Sequence, residues 1–258
     1  MKLIVFFLCL LAEFFTLKGN GQTHSAGEAR LIADRDAERN TVVLNNENAV
    51  LQIAALDGAQ IASVNAGFAY SSIMDSILGK YQKIDSLNLP LSATFETVDS
   101  VTDRLKFCNY VIVQVTDESV SGRSVQRLVS SLVKKGKQVI VVFFGSGKRL
   151  ASLDGVGVPV IWCSVITRDA ASCAAQVIFG GIALSNKLNE NYSGHFLKGG
   201  GAKIRKIRLK YTVPEDAGIN SDNLKPIDGI VEEAIHARAT PGAVVMVVRQ
   251  GKVIFHKA

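Results

Sequence analysis

Two uninterrupted apolar runs with an amphipathic segment between them restrict the fold of this chain more than any other feature. Asn109-Tyr110-Val111-Ile112-Val113-Gln114-Val115 and Gln138-Val139-Ile140-Val141-Val142-Phe143-Phe144 lack the polar alternation of a half-exposed strand. Both of their faces must therefore be covered, as happens in a parallel sheet between helices. Residues 121–135 place Val125, Leu128, Val129 and Leu132 at spacings of three and four, the stripe of a helix lying on a sheet. Parallel neighbours need a crossover of this kind. Residues 60–67 predict another strand, residues 71–80 its helix, and Val158-Pro159-Val160-Ile161-Trp162-Cys163 a further strand. Residues 169–188 predict a last helix whose face of Ala171, Ala174, Ala175, Ile178 and Phe179 is small enough to lie close on the sheet. Gly180-Gly181 end it by supplying a left-handed residue. The expected fold is α/β, a doubly wound domain with a mostly parallel sheet over residues 55–190.

The flanks read differently. Met1, Lys2, the apolar run 3–17 and Gly19-Asn20-Gly21 have the pattern of a secretory signal, so residues 1–21 predict export to the periplasm or beyond, with cleavage near Gly21. Residues 22–54 are expected to form a linker helix, with 28–46 helical. Cys108, Cys163 and Cys173 remain after cleavage, an odd number without metal-ligand spacing, and are expected as three buried thiols. The formal charge of +6 is mild, and losing Lys2, Lys18 and Glu13 lowers it by one. It demands no nucleic-acid partner. After the domain, residues 191–220 form a Gly-rich linker in which the alternating basic and apolar residues of 203–211 suggest an exposed strand. Ser221 is placed to cap a helix reaching about Ala237, which Thr240-Pro241-Gly242 ends. Residues 243–249 and 252–256 then flank Gln250-Gly251, a hairpin signal.

The wording Ala174-Ala175-Gln176-Val177-Ile178-Phe179-Gly180-Gly181, with Lys187-Leu188 after it, resembles the last helix of the C-terminal α/β domain of glycoside hydrolase family 3. Leu44-Asn45-Asn46-Glu47-Asn48 is similar to the phrase that joins that domain to the family's catalytic barrel, although Val50-Leu51-Gln52-Ile53 replaces the Leu-Pro-Leu that usually follows. The ending, from Pro241-Gly242-Ala243-Val244-Val245 to Gly251-Lys252-Val253-Ile254, resembles the opening of β-lactamase-like serine hydrolases. Together the two are similar to exported bacterial proteins that fuse a β-N-acetylhexosaminidase to such a domain. The resemblance implies a carbohydrate substrate for the parent enzyme. It also implies, as partners, a barrel domain and the remainder of a serine-hydrolase domain, of which residues 221–258 are the first part.

Candidate chemistry is sparse. A retaining glycosidase needs two carboxyl groups about 5 Å apart, and the family's nucleophile sits on a barrel of about 250 residues for which this sequence has no room. The chain is therefore expected to be a scaffold, inactive alone. In the β-glucosidase branch an acid/base Glu comes from the α/β domain, and Glu118, just past the first apolar run, is the candidate in comparable territory. One alternative is a non-catalytic module holding a carbohydrate or anion at the carboxyl edge of the sheet, near Glu118 and Ser146. The other is a fragment of a serine hydrolase. Ser131-Leu132-Val133-Lys134 spells a Ser-x-x-Lys motif, yet within a predicted sheet-covering helix and with no Lys-Thr-Gly elsewhere. Gly145-Ser146-Gly147-Lys148 follows a strand and could offer backbone N–H groups to an anion, but it lacks the first Gly and the Ser/Thr of a P-loop, so a structural turn is favoured. His24, His195, His236 and His256 are scattered, and no cofactor or metal motif is present. Asn191-Tyr192-Ser193 is a glycosylation sequon that matters only in a eukaryotic secretory pathway.

Overall fold

A computed structural model describes residues 25–258. The predicted signal segment, with Cys9 and His24, lies outside the described residues.

Helix α1 (Ala26–Arg39) begins with a capping box, in which Ser25 accepts from the Glu28 N–H and the Glu28 carboxylate accepts from the Ser25 N–H. The helix expected over 28–46 stops at Asn40, and Thr41–Leu44 forms strand β1 instead. Thr41, Val42 and Val43 are β-branched, which favours the extended backbone. All four residues of β1 are buried, so packing reinforces that preference. Part of the expected linker therefore belongs to the sheet. The chain continues through β2 (Ile61–Ala66), α2 (Ser71–Leu78), β3 (Ile84–Asn88), α3 (Phe95–Arg104), β4 (Tyr110–Thr116) and α4 (Arg123–Lys134). It ends its main sheet with β5 (Gln138–Phe144), a 3-10 segment (Gly147–Leu153), β6 (Val160–Cys163) and α5 (Arg168–Phe179). The strand order is β1-β6-β5-β4-β2-β3, parallel throughout except that β1 runs against β6. The doubly wound, mostly parallel sheet is the one expected.

Strand β3 and helix α3 have weak signals, since β3 is a partly polar edge strand of which only Leu87 is buried. In α3, Thr94 caps the N-terminus while Val98 and Val101 face inward.

Two apolar layers sandwich the sheet. On one side, Val98 of α3, Leu105 just after it, and Leu128 and Leu132 of α4 pack on Val113, Val141 and Phe143. On the other, Met74 and Leu78 of α2 and the whole inner face of α5 pack on Ile112, Ile140 and Phe144. Phe68 stacks on Phe144 with ring centroids 3.7 Å apart. Each such fully buried aromatic contributes roughly 2–3 kcal/mol of hydrophobic stabilisation. Thr167 caps α5, and Gly180, at φ 71°, ends it in the left-handed conformation expected of the Gly pair. Arg208 then places its guanidinium on the Phe179 carbonyl at 2.7 Å, a cation at the negative end of the helix.

The exposed strand expected over 203–211 is found only as β7 (Lys210–Tyr211). Its upstream part instead crosses the end of α5, where the N–H groups of Ile207 and Arg208 donate to the Gly180 carbonyl and Ile204 is buried. Orphan helix carbonyls thus outcompete a lone ribbon. Ser221 does not cap the following helix; its N–H and hydroxyl donate to Glu215 at 2.9 and 2.7 Å, and Asn220 caps a short 3-10 turn over Ser221–Leu224. Helix α6 (Pro226–His236) starts with Pro at a first-turn position, where a missing N–H is harmless. The predicted hairpin is present as β8 (Val245–Arg249) and β9 (Lys252–Lys257), with Gln250 at φ 51° and Gly251 at φ 71° in its two-residue turn. These strands and β7 form a second sheet, β7-β9-β8. An ion-pair cluster joins it to α1: Asp216, whose side chain is 6% exposed, meets Lys210 at 3.1 Å, Lys252 at 3.2 Å and Arg35 at 3.7 Å. Lys210 also pairs with Glu38 at 2.8 Å.

Candidate functional site

Ligands of open α/β sheets gather where neighbouring strands send their connections to opposite faces, because the chains diverge and leave a crevice at the carboxyl ends. Strand β5 leads into the 3-10 segment on the α3/α4 side, where Leu150 and Leu153 are buried, whereas β6 leads into α5 on the other side. A cleft of about 650 Å³ opens at that point. Asp117 from the end of β4, Ser146 and Lys148 from the end of β5, and Ser164 from the end of β6 line it, with Arg39, Lys187, Glu190 and Tyr192 around the rim.

The cleft is built by local constraints. Both Asp117 carboxylate oxygens accept from the Ser146 N–H, at 3.0 and 3.2 Å. Gly145 permits this approach, since a Cβ there would stand 2.5 Å from Asp117 Oδ1. The Gly145 carbonyl accepts from Trp162 Nε1 at 2.9 Å, fixing the buried indole. Tyr192 packs edge-on against that indole at 5.0 Å and donates to Asn189 at 2.7 Å. Gly147 makes room for the Tyr192 ring, which a Cβ would strike. Burial, and then the Glu190 charge, push the Tyr192 phenol above its ordinary range, so it stays a neutral hydrogen-bonding group. Ser164 donates to Asn40 at 3.3 Å, tying the floor to the end of α1.

The sequence candidates fall as follows. Glu118 stands exposed on the turn after β4 and does not line the cleft; its neighbour Asp117 does. Ser146 is in the cleft, but its N–H, the donor expected to meet an anion, is already held by Asp117. Ser131 lies within α4, on the sheet-covering layer and away from the cleft. His195 bonds Asn45 at 3.0 Å, His236 ends α6 and His256 is on β9, so the structure does not bring these three together. No group of three or more metal-ligating side chains occurs among the described residues. Asn191 and Ser193 flank Tyr192, and Ser193 donates to Asp154 at 2.7 Å. Cys108, Cys163 and Cys173 are buried free thiols, and burial pushes Cys163 up to about 12. Sequence reasoning missed Asp117, Glu190 and Tyr192. The Gly145 and Gly147 spacing was the available signal for a close approach at this loop, but nothing in it names the partner.

Such a cleft, with hydroxyl, carboxylate and cationic groups beside an aromatic wall, suits a polyhydroxylated ligand. The Ser146 hydroxyl accepts from the Lys148 N–H at 3.4 Å, and no hydrogen bond joins it to a base among the described residues.

No protein-family model matches the chain, and no curated protein matches it. Solved structures do share its fold. The β-glucosidase from Listeria innocua, in complex with isofagomine, is similar over 69% of this chain and 29% of its own, at 16% identity and a TM-score of 0.55. A glycoside hydrolase family 3 β-N-acetylglucosaminidase from Paenibacillus sp. str. FPU-7 is similar over 66% and 33%, at 14% identity and 0.52. A fungal multi-domain family 3 β-N-acetylglucosaminidase, with a GCN5-related glucosamine N-acetyltransferase region, is similar over 60% and 18%, at 17% identity and 0.50. The chain thus spans a third or less of the length of these enzymes. The mixed α/β architecture, a mostly parallel six-stranded sheet with a second small sheet, is the fold of the C-terminal domain of glycoside hydrolase family 3 enzymes.

Proposed function

We propose that this chain is the C-terminal scaffold domain of an exported family 3 glycoside hydrolase of the β-N-acetylhexosaminidase type, acting on carbohydrate such as peptidoglycan. In this reading the domain is a structural support, while a barrel supplies the nucleophile. The fold carries the reading. It is supported by the engagement of Asp117 with the Ser146 N–H and by the position of Glu118 outside the cleft, which leave neither carboxylate posed as an acid/base group. The proposal includes export directed by residues 1–21, an α/β domain at 55–190 to whose sheet the preceding segment 22–54 contributes β1, and a connecting segment at 191–220. It also takes residues 221–258 as the opening of a β-lactamase-like domain, which the order of α6, β8 and β9 supports.

The purified chain should not turn over an aryl N-acetylglucosaminide. Turnover of about 1 s⁻¹ or faster, within the ordinary range of enzymes, sinks the scaffold reading. A second reading, a binding module without catalysis, is favoured by the cleft itself. Calorimetry with chitooligosaccharides and muropeptides separates the two, because saturable binding weakened by Tyr192→Ala is expected of the module and not of a mere scaffold.

A further inference from the structure

A groove of about 230 Å³ lies between the α/β layers and the second sheet and has no part in the reading above. Lys80, just past α2, and His256 of β9 stand at its exposed rim, and Thr212 lines it immediately after β7. Its remaining walls include Ile77, Val213 and the Tyr211 ring.

Three observations point to an occupant. The Thr212 hydroxyl oxygen is buried and has no hydrogen-bond partner among the described residues. A buried hydroxyl in that state is destabilising unless a partner arrives. The cations also divide unequally. Arg30 in the groove is paired with Asp34 at 3.2 Å and Asp169 at 2.9 Å. Lys80 and His256, by contrast, have no carboxylate within ion-pair distance among the described residues, and the Lys80 ammonium rests over the Tyr211 ring, 4.8 Å from its centroid. Finally, apolar Ile77 and Val213 adjoin these polar groups, so the groove has a charged end and an oily wall.

We propose that this groove binds a small organic carboxylate. The Thr212 hydroxyl donates to the carboxylate, Lys80 supplies the charge, the His256 ring offers an N–H, and a short apolar tail lies against Ile77 and Val213. Desolvation lowers the Lys80 pKa, a tendency that a bound anion reverses. Asp34 is the one carboxyl lining the groove, and because Arg30 is shared between it and Asp169, that triad keeps one net negative charge, which the Lys80 ammonium must outweigh for an anion to bind.

Butyrate titrated into the full chain, followed by calorimetry and by amide chemical shifts, tests the assignment. Saturable 1:1 binding is expected, with butyramide, the neutral isostere, and inorganic phosphate, which lacks the tail, each at least tenfold weaker. Thr212→Val and Lys80→Gln, shown by circular dichroism to be folded, should each weaken butyrate at least threefold; for Lys80 the main-chain carbonyl that accepts from the Tyr211 hydroxyl is kept. Absence of saturable butyrate binding overturns the proposal, as does butyramide binding equally well or a butyrate affinity that neither variant changes. Phosphate binding as tightly as butyrate overturns the assignment of a carboxylate with an apolar tail.

Discussion

Asp117 and Ser146 face each other across the ends of two adjacent parallel strands, with one backbone N–H shared between both oxygens of the carboxylate. The loop after β5 that most resembles an anion cradle is therefore occupied by the protein's own anion. Replacing Asp117 with Ala removes a charge-assisted hydrogen bond, and a loss of about 1–3 kcal/mol in unfolding free energy is expected by urea titration. The same variant leaves the cleft with Arg39, Lys148 and Lys187 and a free N–H, so sulfate should raise its melting temperature more than that of the parent chain.

Gly147 and Tyr192 are in contact for a packing reason, and the indole beside them reports on it. Gly147→Ala forces the Tyr192 ring off Trp162, at an expected loss of roughly 1–3 kcal/mol. Trp162 is the one tryptophan of the chain, so its emission should shift to the red. An unchanged spectrum would show that the ring does not move.

Asp216 joins the small sheet to α1. Burial works against its charge, but hydrogen bonds and charge from Lys210 and Lys252 outweigh that and hold the carboxyl below its ordinary value. The unfolded chain then takes up the proton more readily. The stabilisation is complete above the unfolded value, about 3.9, and is lost as the pH falls through the folded value. Asp216→Asn should lower stability by about 1–3 kcal/mol at pH 7, since Lys252 loses its carboxylate while Lys210 keeps Glu38. It should also flatten the decline seen on acidification below pH 5, which denaturant melts across pH 3–7 measure.

The buried thiols give a prediction about reactivity. Burial pushes Cys163 up to about 12 and Cys173 well above its ordinary value, and Cys163 is fully enclosed. Iodoacetamide at pH 8 should leave both unmodified in the native protein and alkylate them in urea, as peptide mass spectrometry would show. Alkylation at the native rate of a free thiol would mean that α5 lifts from the sheet.

Much of the sheet was legible in the sequence because its strands are buried on both faces. Val111, Ile112, Val113 and Val115, or the run from Val139 to Phe144, can only be interior. The small-residue face of α5 and its Gly180 terminus are visible for a similar local reason. Where burial is one-sided, or a strong helix signal abuts a short strand, local reading fails. Leu87 is the only buried residue of β3, and Thr41–Leu44 follows a strong helix with only Asn40 between. The fate of residues 203–209 depends on the carbonyls at the end of α5, more than twenty residues away, which no window of neighbouring residues contains. The cleft was the least legible part. Ser146 is found from its glycines, but Asp117, Glu190 and Tyr192 come together only through the strand order.

Strand β9 lies between β7 and β8 although it follows both in the chain. During synthesis neither neighbour has anything to pair with until residues 252–257 have left the ribosome. Before then β7 and the bases Lys210 and Arg35 can already meet Asp216, while β8 has no ladder at all. Docking of the hairpin on β7 therefore follows completion of the α/β sandwich, and a released chain truncated at residue 245 would display that sandwich with an unzipped appendix.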